Sequence, residues 1–187
     1  MKRRNLLTAL AAGAAVTLVP RHARSTPRIR PPGAQPPGTF ETTCIGCFRC
    51  AEVCPPKCID FAGGLATDSG SPYLDLRARA CTLCMKCTQV CPTDALLPIA
   101  ADAAAISKDV HMGTPVLDRK KCLPWSGTGL CSLCYQVCPY PDRAVELVGM
   151  QAAPLFHAEA CVGCGLCEEA CPDIARAIRI APPELKR

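Results

Sequence analysis

CIGCFRCAEVCP, residues 44–55, spaces four cysteines as C-x2-C-x2-C-x3-C and closes the run with a proline. Three cysteines three apart bring their sulfurs around one point on a tight loop. The fourth follows one helical turn later, and Pro55 then steers the chain away. Such crowding suits one multinuclear ligand better than disulfides to distant partners. The run recurs as CTLCMKCTQVCP and CVGCGLCEEACP, so Cys44, Cys47, Cys50 and Cys54 have counterparts in Cys81, Cys84, Cys87 and Cys91 and in Cys161, Cys164, Cys167 and Cys171. A stretched version, CLPWSGTGLCSLCYQVCP, puts eight residues between Cys122 and the run of Cys131, Cys134 and Cys138.

These runs sit in a fourfold repeat. Each unit has a strand-like lead (TFETT, PYLDLRARA, PVLDRKKC, PLFHAEA), a cysteine cluster and a short apolar tail (CIDF, ALLPI, AVELV, AIRI). Cys122 follows PVLDRKK as Cys81 follows PYLDLRAR, and so takes the first ligand's place in its unit. The extra residues LPWSGTGL are rich in loop formers, and a loop of that size closes at little entropic cost. Trp125 within it is expected to serve local packing before any lid or docking role.

Seventeen cysteines admit disulfides, zinc or iron–sulfur clusters. The odd count fits a complete disulfide framework badly, and His22, His111 and His157 follow no zinc spacing. Large apolar side chains are scarce, with four Phe, three Tyr and one Trp, so a metal staple is expected to hold the fold. The compact run is that of bacterial ferredoxins, whose fourth cysteine ligates the neighbouring cluster. If adjacent units pair, Cys44, Cys47 and Cys50 join Cys91, and Cys81, Cys84 and Cys87 join Cys54. Likewise Cys122, Cys131 and Cys134 join Cys171, and Cys161, Cys164 and Cys167 join Cys138. A nested arrangement, first unit with fourth and second with third, is the alternative. All sixteen cysteines are expected to bind the iron of four 4Fe-4S clusters. Cys58 is left over; Ala95 occupies its place in the second unit, so a small buried structural role is expected.

The net charge of +5 belongs mostly to the N-terminus, where Lys2, Arg3, Arg4 and Arg21 meet no acid within residues 1–23. Four oxidised clusters would leave the remainder at roughly −7. No arginine-rich face with interleaved aromatics is present, so nucleic acid is not an expected partner. Arg3-Arg4 before the apolar run Leu6–Val19 reads as a twin-arginine export signal, too short for the roughly 20 residues of a membrane span. That route exports proteins already folded around cofactors, so a periplasmic location is expected; an uncleaved leader would keep the chain at the membrane. Residues 24–38, with five prolines, read as an extended spacer.

The expected fold class is α+β: two tandem bacterial-ferredoxin-like modules, short strands and helices wrapped around iron–sulfur clusters. The organisation is a signal over 1–23, a linker over 24–38, modules over 39–100 and 115–181, a connector with a short helix over 101–114, and a tail over 182–187. No C-x-x-C-H haem motif, dinucleotide fingerprint or catalytic His–carboxylate motif occurs, so no catalytic residue is assigned. The chain is expected to act as an electron carrier or as an accessory subunit of a quinol dehydrogenase. An electron-transfer subunit of a molybdopterin oxidoreductase, or a maturation factor for a periplasmic enzyme, is the alternative.

A twin-arginine leader, IRPPGA at residues 29–34 and the stretched third run together resemble the MauM/NapG family of ferredoxin-type proteins. The resemblance runs from Arg30 to the fourth motif. It implies a periplasmic four-cluster protein of a nitrate-reductase or methylamine-utilisation system, with third-motif ligands at Cys122, Cys131, Cys134 and Cys138. The implied partners are a membrane-bound quinol-oxidising ferredoxin-type protein and a periplasmic redox enzyme or cytochrome.

Overall fold

The computed structural model describes residues 27–63, 70–172 and 174–183; the export signal read over residues 1–23 lies outside them. Among these residues, six short strands form three antiparallel pairs. β1 (Ile59–Phe61) pairs with β2 (Pro72–Leu74), and β4 (Val145–Val148) with β5 (Ala153–Phe156). β3 (Thr114–Leu117) pairs with β6 (Ile178–Ala181). The tail of one unit thus pairs with the lead of the next, and the outer lead closes on the outer tail. Every strand is an edge, so Pro72, Pro115 and Pro154 sit within strands without breaking an interior ladder. β6 alternates, with Ile178 and Ile180 buried and Arg179 exposed.

The first unit departs from the repeat. TFETT, expected as a strand-like lead, forms the helix Thr39–Thr43. Its start is held by Glu41, which accepts from the Gly38 N–H at 2.5 Å and from Arg30 Nη2 at 2.9 Å. Phe40 anchors it in the core at 1% exposure, with the Arg30 guanidinium 4.9 Å from its ring. These donors lie upstream, beyond the reach of a periodicity reading.

The lead's place is taken by what the sequence suggested was a free spacer. Ala34 bridges Leu96, flanked by Gln35 N–H to Ala95 O (3.0 Å) and Leu97 N–H to Gly33 O (2.7 Å). Pro32 and Pro36 offer no N–H on either side, so the pairing stops there and ALLPI makes no full strand. A Cβ on Gly33, at φ +75, would stand 2.4 Å from Leu97 O, which accounts for glycine at this close approach. Upstream, Ile29 is buried and its carbonyl accepts from Leu74 N–H at 2.8 Å. The described part of the 24–38 segment therefore belongs to the first module from Ile29 onward. Proline supplied rigidity there, and apolar burial with the Arg30–Ser71 and Arg30–Pro72 bonds supplied attachment.

Residues Ala103–Asp109 form the connector helix, capped by Asp102 accepting from the Ala104 and Ala105 N–H groups. Beyond it Val110 and Met112 are buried. One apolar core runs through both modules, from Ile29, Phe40 and Leu74 to Val162, Cys164 and Ile180. A second, smaller core joins Cys122, Ala175 and Ala177 to Leu117, Leu123 and Trp125.

Candidate iron–sulfur sites

Each compact cysteine loop is shaped by two left-handed residues, one on either side of its second cysteine. They are Gly46 and Phe48, Leu83 and Met85, and Gly163 and Gly165. Left-handed backbone costs a non-glycine residue about 1–2 kcal/mol, so Phe48, Leu83 and Met85 mark strain at these loops. The second residue of each pair then starts a one-turn helix carrying the third cysteine: Arg49–Glu52, Lys86–Gln89 and Leu166–Glu169. The stretched motif lacks this turn. Ser132 lies at φ −135, and Leu123–Ser126 forms a helical turn of its own, ended by Gly127 at φ +73. Cys122 reaches the site from that extra turn.

The fourth cysteine of each unit crosses to its neighbour. Cys44, Cys47, Cys50 and Cys91 line one pocket. Cys54, Cys81, Cys84 and Cys87 line a second, together with Cys58. Cys122, Cys131, Cys134 and Cys171 line a third. The Cys161, Cys164 and Cys167 thiols each lie within Coulombic reach of Cys138. Adjacent units therefore face each other, and the nested alternative is not the arrangement observed. Among the described residues, no three Cys, His, Asp or Glu side chains converge closely enough for a single metal ion. Four thiols gathered at each site match a cubane's donor set, and these residues fit that group.

Crowding and burial set the thiols' chemistry. Burial, reinforced by neighbouring thiolates, pushes Cys50 up to about 11, and Cys87, Cys134 and Cys164 up to about 12. Iron must displace those protons, since only thiolates ligate it. Main-chain donors address several sulfurs: Leu96 N–H to Cys91 (3.4 Å), Ala177 N–H to Cys171 (3.3 Å) and Gly163 N–H to Cys161 (3.4 Å). Such bonds tune cluster potential.

Cys58 does more than fill space. It is 2% exposed, its sulfur is 3.7 Å from Cys54 Sγ, and it lines the same pocket as Cys81. The Cys81 thiol beside it, together with burial, holds Cys58 far above the usual thiol range, so Cys58 keeps its proton next to the second set. The comparison with Ala95 located its burial but gave no sign of this contact. Trp125 is half-buried, donates from Nε1 to Pro154 O at 2.9 Å and stacks against Arg119 at 4.1 Å. It ties the inserted turn to β5. His157 has partners the sequence did not reveal, with Nε2 3.2 Å from Glu146 Oε1 and Nδ1 3.8 Å from Glu159 Oε1.

Comparison with known proteins gives this arrangement a lineage. Residues 43–95 and 114–172 each match a 4Fe-4S dicluster domain, and residues 80–141 match a 4Fe-4S double cluster binding domain. The chain is 34% identical over 175 residues to the methylamine utilization ferredoxin-type protein MauM of Methylophilus methylotrophus, covering 88% of this chain and 75% of that one. It is 35% identical over 193 residues to the ferredoxin-type protein NapG of Escherichia coli K12, covering 95% and 80%. The chain belongs to the MauM/NapG family of ferredoxin-type proteins. It is an iron–sulfur electron-transfer protein with 4Fe-4S domains. The two dicluster matches in this MauM/NapG chain each span one pair of adjacent units, the same pairs whose fourth cysteines cross.

Proposed function

We propose that the chain holds four 4Fe-4S clusters in the periplasm and relays electrons from a membrane quinol-linked partner to a periplasmic redox enzyme. The acceptor system is of the nitrate-reductase or methylamine-utilisation type. The observation that carries this reading is the gathering of sixteen cysteines into four sets of four. The ligand sets are Cys44, Cys47, Cys50 and Cys91; Cys54, Cys81, Cys84 and Cys87; Cys122, Cys131, Cys134 and Cys171; and Cys138, Cys161, Cys164 and Cys167. When bound, the clusters supply one-electron redox chemistry. The polypeptide excludes water from the buried thiols, orients main-chain N–H groups at their sulfurs and holds the Cys58 proton on a thiol beside the second set.

The Arg3-Arg4 leader supports export in the folded state. Two measurements test the proposal. Anaerobically purified protein should contain about sixteen irons, four for each cubane, and should be reduced by quinol only when a quinol-oxidising membrane protein is present. Replacing Arg3 and Arg4 by Lys should leave holoprotein in the cytoplasm. A count of twelve irons or fewer, or reduction by quinol without a membrane partner, would overturn the relay as stated.

A further inference from the structure

The repeats are numbered along the chain, but their sites do not follow one another in that order in space. Within the first module, the helix bearing Cys50 (Arg49–Glu52) packs on the helix bearing Cys87 (Lys86–Gln89), which joins the first and second sites. Within the second module, the helix bearing Cys134 (Leu133–Gln136) packs on the helix bearing Cys167 (Leu166–Glu169), joining the third and fourth. The modules meet through the second and fourth units. The Cys81 N–H donates directly to Cys164 O at 2.8 Å, linking a ligand of one site to a ligand of the other through the main chain. Met112 N–H donates to Val162 O at 3.1 Å alongside. Gly165 of the fourth motif permits this approach, since a Cβ there would meet Leu76 Cβ of the first module at 2.7 Å, while a Cβ on Gly163 would meet Gly113 N of the connector at 2.4 Å.

The apolar cores divide accordingly. Ligands of the first, second and fourth sites line the main core, whereas Cys122 and Cys171 line the separate smaller one. Both outlying sites face solvent. Ile45 and Phe48 beside the first are 67% and 51% exposed, and Leu130 and Leu133 beside the third are 78% and 40% exposed.

The geometry points to a single file of clusters in the order first, second, fourth, third, with the Cys81–Cys164 contact as the bridge between modules. The order rests on the four-cluster ligand sets proposed above. It makes the first and third motifs the two ends of the relay, and it places the inserted Cys122–Cys131 turn over a terminal cluster.

Magnetic coupling in the fully reduced protein reads the order directly. Cys161→Ala removes the fourth site, which should leave the third cluster alone and give an uncoupled one-cluster signal by electron paramagnetic resonance. Cys131→Ala removes the third site, an end of the file, and should leave three clusters mutually coupled. The reverse pattern, as expected for the sequence order, overturns the proposal. If either variant holds fewer than about twelve irons, Gly165→Ala, whose methyl group would meet Leu76 of the first module, serves instead. Its methyl group wedges the modules apart, so the spectrum should become the sum of two coupled pairs with iron content unchanged. Unaltered coupling in Gly165→Ala also overturns the order. Wild-type protein with too few irons for four clusters defeats the ligand sets themselves, a failure that iron analysis distinguishes from a wrong order.

Discussion

Replacing Gly165 by alanine probes the junction on which the two modules depend. Gly165 precedes the helix Leu166–Glu169 at φ +84, and a methyl group there would stand 2.7 Å from Leu76 Cβ and 3.0 Å from its Cγ and Cδ1. Leu76 is 2% exposed, and its Cβ is fixed to the backbone, so no rotamer change relieves the shortest contact. Left-handed backbone costs alanine about 1–2 kcal/mol. Forcing a methyl group into a packed core costs a further ~1–3 kcal/mol. Together these make roughly 2–5 kcal/mol, against the ~5–15 kcal/mol that holds a typical domain. The left-handed part alone is tolerable, since Phe48 and Met85 adopt φ 64 and 54 at the same place in their motifs. The clash with Leu76 is what is peculiar to the fourth motif. Cluster release is irreversible, so the assay is the rate of anaerobic bleaching of cluster absorbance in guanidinium. Gly165→Ala should bleach at least about thirtyfold faster, the equivalent of ~2 kcal/mol. In a Leu76→Ala background, where Cγ and Cδ1 are gone and the chain has room to shift, that acceleration should shrink at least about fivefold. Equal acceleration in both backgrounds would refute the contact and the junction built on it.

Further outcomes follow from single contacts. Cys58→Ala removes an S–H donor worth about 0.5–1 kcal/mol, and a donated bond favours the more negative reduced cluster. One midpoint potential should therefore fall by ~20–40 mV in a redox titration with iron content unchanged; a loss of four irons would make Cys58 a ligand instead. Trp125→Phe leaves the Pro154 carbonyl without its indole donor and should cost ~1–3 kcal/mol, seen as faster bleaching; an unchanged rate would mean the inserted turn is held by other contacts. Cys50, Cys87, Cys134 and Cys164 remain protonated through pH 9 in the iron-free chain, with pKa values of about 11 to 12. Their thiolate fractions rise about tenfold per pH unit, so cluster assembly should release protons and run faster at pH 9 than at pH 7. An assembly rate indifferent to pH would contradict that linkage.

Much of the site is legible in the sequence because its information is local. Ligand spacing is set by loop geometry over a dozen residues, so the sixteen cysteines, the repeat and the place of Cys122 within it can all be read from the string. Secondary structure was legible in most of the leads and tails: all six strands, β1 to β6, formed in the expected segments. It failed at TFETT, whose alternation suits a strand but whose Glu41 finds Gly38 and Arg30 as donors. It failed at IRPPGA as well, where proline composition suggested a free spacer although Ile29 and Ala34 had a module to join.

By itself the sequence determined the chemistry. Four groups of thiols at cubane spacing leave few other uses for seventeen cysteines, and spacing is a property of neighbouring residues. Only the tertiary structure decided who faces whom. The crossing of each fourth cysteine to the adjacent unit, the gathering of Cys58 with Cys81 around the second site, and the meeting of Cys81 with Cys164 all join residues far apart in the chain. Such contacts are set by which apolar surfaces bury each other and by where glycine lets two backbones approach. The inserted turn after Cys122 reflects both kinds of information: its sequence marks it as a ligand-bearing loop, and its bond from Trp125 to Pro154 fixes where that ligand stands.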